Sequence, residues 1–190
     1  MNLNFNPSNR DISLLFVLGL FWGVLEAFAG KWIKGWQPNL FGFIMPFVTA
    51  VFIIWAKRLL PLTGSILMMG IMAAVIKLFC SGMILHGAFM AILFEAVLAE
   101  FIFIIAGTGF WASAGVGMIV QLYSMFHPLL TKGTLCQSSH VVRFKQWLSM
   151  YVYSGHNLQK SQTILILLIL HLFLGFLAAA VLWPVKANRR

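Results

Sequence analysis

The chain has 190 residues, of which 61% are hydrophobic and 9% charged, against roughly 25% charged residues in ordinary soluble domains. That balance excludes a water-facing surface. The net charge of +9 comes from basic residues scattered between apolar runs, not from a basic stripe with interleaved aromatics, which argues against nucleic acid as a partner. Hydrocarbon is the solvent this sequence implies, and there every backbone N–H and C=O must be paired within the spanning structure. Unbroken apolar runs such as 12–29 and 163–185 lack the alternation of a barrel strand. The expected class is therefore an all-α integral membrane protein, one domain over residues 1–190, with the lipid bilayer as its surroundings.

In chain order, Pro7, Ser8 and Asn9 make a turn-like start, and a first span runs over about 12–30. Arg10 ahead of an apolar stretch ending in Ala27-Phe28-Ala29 resembles a cleavable leader, but Glu26 beside that site and the length of the run favour a retained helix. A second span over about 38–56 contains Pro46 and ends at Lys57-Arg58; a loop through Pro61 leads to a third over about 63–79. Ser81-Gly82 separates the third from a fourth at about 83–106, and Gly107-Thr108-Gly109 turns into a fifth at about 110–130. The sixth covers about 163–185. Between the fifth and sixth, Val141, Phe144, Leu148 and Tyr151 recur at helical spacing while Arg143, Lys145 and Gln146 face elsewhere, which predicts a short amphipathic helix lying in the interface. Basic residues divide evenly between the two sides of a six-span topology; discounting those in the long penultimate loop places both termini in the cytoplasm.

Charged groups within hydrocarbon cost at least about 2.5–3.5 kcal/mol each, so Glu26, Lys77, Glu95 and Glu100 call for a reason. With the N-terminus inside, Glu26, Lys77, His86 and His127 fall at one depth in the outer half, with Gln121 somewhat deeper and His171 approaching from the same side. Such a layer suits a small polar ligand held beneath a loop carrying Trp32 and Trp36 and beneath the amphipathic segment with Trp147, Tyr151 and Tyr153. The expected substrate-binding set is Glu26, Lys77, His86, Glu95, Gln121, His127 and Trp36. Taken singly, each has an alternative: Lys77 and Glu26 neutralise one another, and the tryptophans form an interfacial belt. Glu95 either lines the cavity floor or carries a proton. Its five-residue spacing from Glu100 sets the two about 140° apart, so Glu100 faces elsewhere, toward a partner.

No HExxH, GxSxG, CxxC or Gly-Lys phosphate loop occurs, so catalytic and metal-ligating residues are not expected, nor a cofactor. Cys80 and Cys136 read as free thiols. Gly19, Gly23 and Ala27 at four-residue spacing leave a smooth ridge for close helix approach, inside the bundle or against a membrane partner.

Leu18-Gly19-Leu20-Phe21-Trp22-Gly23-Val24-Leu25-Glu26, Pro61-Leu62-Thr63-Gly64-Ser65, Ala73-Ala74-Val75-Ile76-Lys77-Leu78 and Ala91-Ile92-Leu93-Phe94-Glu95-Ala96 together resemble the substrate-binding S components of energy-coupling factor transporters. The resemblance implies capture of a small water-soluble, vitamin-like nutrient at the outer side of a bacterial inner membrane. It also implies a separate transmembrane coupling subunit and ATPase subunits, with Gly19, Gly23 and Ala27 at the positions of the family's small-residue docking motif. Two other readings stay open: a self-contained proton-linked secondary transporter using Glu95, and a non-transporting assembly or scaffold protein.

Overall fold

The computed structural model describes residues 7–36, 40–81, 87–132, 139–151 and 159–184. Those residues form α1 (Asn9–Trp36), α2 (Phe41–Leu59), α3 (Ser65–Cys80), α4 (Gly87–Ala106), α5 (Phe110–Lys132), α6 (Ser139–Tyr151) and α7 (Lys160–Leu182), and no strand is found among them. Two helices begin on reciprocal side-chain caps. Ser8 Oγ accepts from the Asp11 N–H at 3.2 Å while Asp11 Oδ2 accepts from the Ser8 N–H at 3.1 Å, and Gln159 and Gln162 repeat the arrangement at the start of α7.

Side-chain contacts fix the directions of the six longer helices. Glu26 meets Thr49, and the Phe21 ring packs tilted against Phe52, so α1 and α2 are antiparallel. Gly19 faces Met72 and Gly23 faces Ile76, which makes α1 and α3 parallel. Gly70 abuts Ala96, Phe94 abuts Tyr123, and Gln121 meets His171, so α4, α5 and α7 continue the alternation. The six longer helices thus run up and down in turn, with α2 in the middle packed on α1, α3, α5 and α7. Pro7 and Trp183 consequently lie at one end, beside Leu62 and Arg58 respectively.

Among the described residues, four helical stretches are long and apolar enough to cross a membrane: Asn9–Trp36, Phe41–Leu59, Phe89–Ala106 and Lys160–Leu182. Six were expected. The helix α3 is apolar but has 16 residues, about 24 Å at 1.5 Å per residue, and α5 dilutes its apolar run with Ser113, Gly115, Gly117, Gln121, Ser124 and His127. Large apolar side chains cover the outside of the bundle, among them Phe16, Leu20, Phe28, Phe101, Ile105 and Phe173, each more than half exposed. An apolar exterior of that extent is stable against acyl chains and not against water.

Two boundaries move. The first helix does not stop at Gly30 but continues to Trp36, because Gly30 is buried and sits within reach of Lys77 Nζ and Phe41. Trp32 and Trp36 are therefore exposed on the last two turns of a helix, stacked at 5.8 Å, and do not belong to a roofing loop. The amphipathic segment is helical as expected. Val141, Phe144 and Leu148 of α6 are buried against Phe43, Met125 and Leu167, so the helix closes one end of the bundle with a small apolar core of its own.

The opposite end is held by charge. Lys57 Nζ lies 2.7 Å from Glu100 Oε1, with the two side chains 3% and 5% exposed. The same carboxylate accepts the Gly64 N–H at 2.8 Å and the Ile66 N–H at 2.9 Å. Glu100 on α4 thereby caps α3, whose own N-cap residue is a glycine at φ 83 with no side chain to offer. Lys57 also donates to the Leu62 carbonyl and to Ser65 Oγ, so every charge in the cluster is met. Glu100 was expected to face a partner, and Lys57 to sit in a loop as a topology charge; both are instead internal structural groups.

Candidate ligand cavity

At the α6 end the helices splay around a cavity of about 380 Å³. Its walls come from α1 (Glu26, Lys34), α2 (Phe41, Gly42, Met45, Pro46, Thr49), α4 (Ala91, Ile92, Glu95), α5 (Tyr123, Ser124, His127, Pro128) and α6 (Arg143). The alternation of helix direction is what brings these together, since it places the C-terminal halves of α1 and α5 beside the N-terminal halves of α2 and α4.

Each polar group has a definite position. Glu26 Oε1 accepts from Thr49 Oγ1 at 2.7 Å, tying α1 to α2 across the wall. Behind it, Lys77 Nζ on α3 donates to the Glu26 backbone carbonyl. Glu95 is 7% exposed and close enough to Glu26 for their charges to interact. Among the described residues it has no hydrogen-bond or ion-pair partner. Tyr123 Oη and His127 Nδ1 lie 3.0 Å apart, one turn from each other on α5.

Two prolines add acceptors of another kind. Proline has no N–H, so the carbonyl four residues before it loses its helical donor. Pro46 does this to Gly42, Pro128 does it to Ser124, and all four residues line the cavity. The wall therefore carries two carboxylates and two carbonyls without their usual helical partners.

Of the expected ligand residues, Glu26, Glu95 and His127 are gathered here, and Lys77 supports Glu26 from behind. Gln121 and Trp36 are not in the lining. Gln121 is fully buried, its Oε1 2.8 Å from His171 Nδ1 and its Nε2 donating to the Phe43 carbonyl at 3.4 Å, while Phe43 stacks on the His171 ring at 4.8 Å. This network joins α2, α5 and α7 beneath the α6 core. Gln121→Leu should remove the buried bonds to His171 Nδ1 and the Phe43 carbonyl and lower stability by about 1–3 kcal/mol, measured by thermal unfolding in detergent. His86, like Cys136 and Tyr153, lies outside the described residues.

Sequence reasoning passed over Thr49, Tyr123, Lys34 and Arg143. A signal for Thr49 was present, because a lone hydroxyl in an apolar helix facing a carboxylate at matching depth is a natural donor. Arg143 carried no such signal, since its contribution depends on how α6 folds back over the bundle.

The ridge of Gly19, Gly23 and Ala27 is buried. A Cβ on Gly19 would stand 3.0 Å from Met72 Sδ, and one on Gly23 would stand 2.7 Å from Ile76 Cβ. The ridge is filled by α3 of the same chain and is not an open docking surface. Among the described residues there is no group of three or more His, Cys, Asp or Glu placed to hold a metal ion. Compared with family models, with curated proteins and with solved structures, the chain matches none, and its function has to be read from its own residues and geometry.

Proposed function

We propose that this chain is a membrane-embedded solute-binding subunit, crossing a bacterial inner membrane six times with both termini cytoplasmic. It captures a small water-soluble nutrient in the cavity beneath α6 from the outer side. The observation that carries this reading is the carboxylate of Glu95, 7% exposed and lining a cavity of about 380 Å³, with no hydrogen-bond or ion-pair partner among the described residues. Natural bundles rarely bury an unpaired carboxylate at a site that serves only packing, because the desolvation goes uncompensated. By contrast, the Lys57 and Glu100 pair is fully satisfied, as a structural charge should be.

Uptake needs an energy source, and the sequence carries no phosphate loop, so a transmembrane coupling subunit and ATPases supply it. With the α1 ridge occupied by α3, the coupling subunit meets some other apolar face of the bundle.

The full chain, purified in detergent, should melt at a higher temperature in a pool of water-soluble metabolites. A ligand at 100 times its Kd adds about 2.7 kcal/mol to the folded state. An unchanged melting temperature across all metabolite pools would remove the reading. A second reading, a proton-linked transporter using Glu95, draws on the same unpaired carboxylate; solute uptake by vesicles containing this chain alone would favour it over the first.

A further inference from the structure

The cavity is polarised along the bundle axis. Glu26 and Glu95 lie in its inner part, while Lys34, eight residues further along α1, is displaced toward the α6 end by about 12 Å. Arg143 joins Lys34 there, carried by the helix that closes that end. The acceptors of the inner part are the two carboxylates; the carbonyls of Gly42 and Ser124, which Pro46 and Pro128 leave without their usual helical donors, add acceptors nearer the α6 end. Cations mark the rim. Lys77 does not fill the inner part, because it is engaged behind Glu26 on the backbone carbonyl and is not part of the lining.

From this arrangement we infer that the cavity takes a dipolar small molecule, with a protonated nitrogen group between Glu26 and Glu95 and a carboxylate or phosphate toward Lys34 and Arg143. The inference deepens the solute-capture reading and rests on it. A protonated amine supplies several N–H donors and a positive charge, which is what an inner wall of acceptors with one unpaired carboxylate lacks. The carboxylates and the two cations lie at different depths of one cavity, so a molecule that carries both charges meets both zones and a singly charged ion meets one. Thr49 contributes by holding Glu26 through its 2.7 Å bond, so that one carboxylate is fixed and the other is free to close on the ligand. A zwitterionic phospholipid headgroup has the same chemistry as a free amine-and-anion solute, and the experiment separates the two.

The test uses the full chain in a lipid-free detergent with three equimolar probe mixtures. The first holds histidine, tyrosine and phosphoethanolamine; the second holds the anions 4-hydroxyphenylacetate and glycerol phosphate; the third holds the amines histamine, tyramine and ethanolamine. The dipolar mixture should raise the melting temperature most, the amines less, and the anions not at all. Affinity for the best dipolar probe should fall about 10–100-fold in Glu95→Gln, with the ligand-free melting temperature held or raised, because the amide removes a buried charge that has no hydrogen-bond or ion-pair partner among the described residues. In Arg143→Gln the preference for dipolar probes over amines should disappear.

Tightest binding by the anions, or a Glu95→Gln protein that binds as well as the parent, would overturn the charge assignment while leaving solute capture in place. Stabilisation by phosphatidylethanolamine vesicles but not by soluble phosphoethanolamine would keep the charge assignment and remove capture of a soluble nutrient. Failure of every probe, lipid included, would remove the charge assignment, and the solute-capture reading falls with it only when the metabolite pools also leave the melting temperature unchanged.

Discussion

Glu100→Ala should destabilise the bundle by about 3–5 kcal/mol, the loss expected when one partner of a buried ion pair is removed and the other is stranded. Lys57 would keep its charge at a site only 3% exposed, and the Gly64 and Ile66 N–H groups at the start of α3 would lose their acceptor. Thermal unfolding in detergent reads the effect. Replacing both charges, as in Lys57→Met with Glu100→Leu, should recover a large part of the loss but not all of it, because the α3 N-terminus stays uncapped. A loss below about 1 kcal/mol for Glu100→Ala would place the pair in water, where ion pairs contribute little, and would contradict the buried geometry.

Gly117→Ala and Gly175→Ala should each cost about 3 kcal/mol or more, at or beyond the upper end of ordinary overpacking. A Cβ on Gly117 would stand 2.1 Å from the Gly175 carbonyl oxygen, and one on Gly175 would stand 2.5 Å from the Gly117 backbone. The obstacle in both cases is main chain, which has no rotamer to change, so α5 and α7 must move apart and strain the Gln121 to His171 network beside them. Gly23→Ala meets only the side chain of Ile76, at 2.7 Å, and should cost less. At Gly35, where nothing lies within 4 Å, alanine should be neutral or stabilise by up to about 1 kcal/mol. A series of melting temperatures for the four variants checks the ranking, and equal losses at Gly35 and Gly117 would refute the close crossing. Gly23→Leu would disturb the packing of α1 on α3 and so cannot serve as a probe of partner docking.

Much of the helical framework was legible because apolar run length is a property of local sequence. Glu26, Glu95 and His127 were legible as a group because polar residues in apolar helices stand out, and up-and-down topology converts sequence position into depth. The 140° separation of Glu95 and Glu100 was likewise readable, and the structure uses it fully, with one carboxylate in the cavity and the other on Lys57.

What escaped depends on which helix faces which. Gln121 has the right depth for the cavity, but the rotation of α5 turns it to His171. Lys57 follows an apolar run and so reads as the first residue of a loop, whereas α2 continues through it because Glu100 arrives from α4 to receive the charge. Gly30 reads as a stop although nothing forces one, since glycine weakens a helix by only about 1 kcal/mol and close packing near Lys77 and Phe41 holds the chain helical. The small-residue ridge identifies a close helix contact and cannot say whose helix it is; the answer is α3.

The central claim is that the cavity beneath α6 is a ligand site and not a packing fault, and binding to the purified chain tests it most directly. Equilibrium binding of the stabilising solute should saturate at one molecule per chain and weaken sharply in Glu95→Gln with no loss of fold stability. Saturable binding that is indifferent to both Glu26→Gln and Glu95→Gln, or no binding by a protein that melts cooperatively, would contradict it.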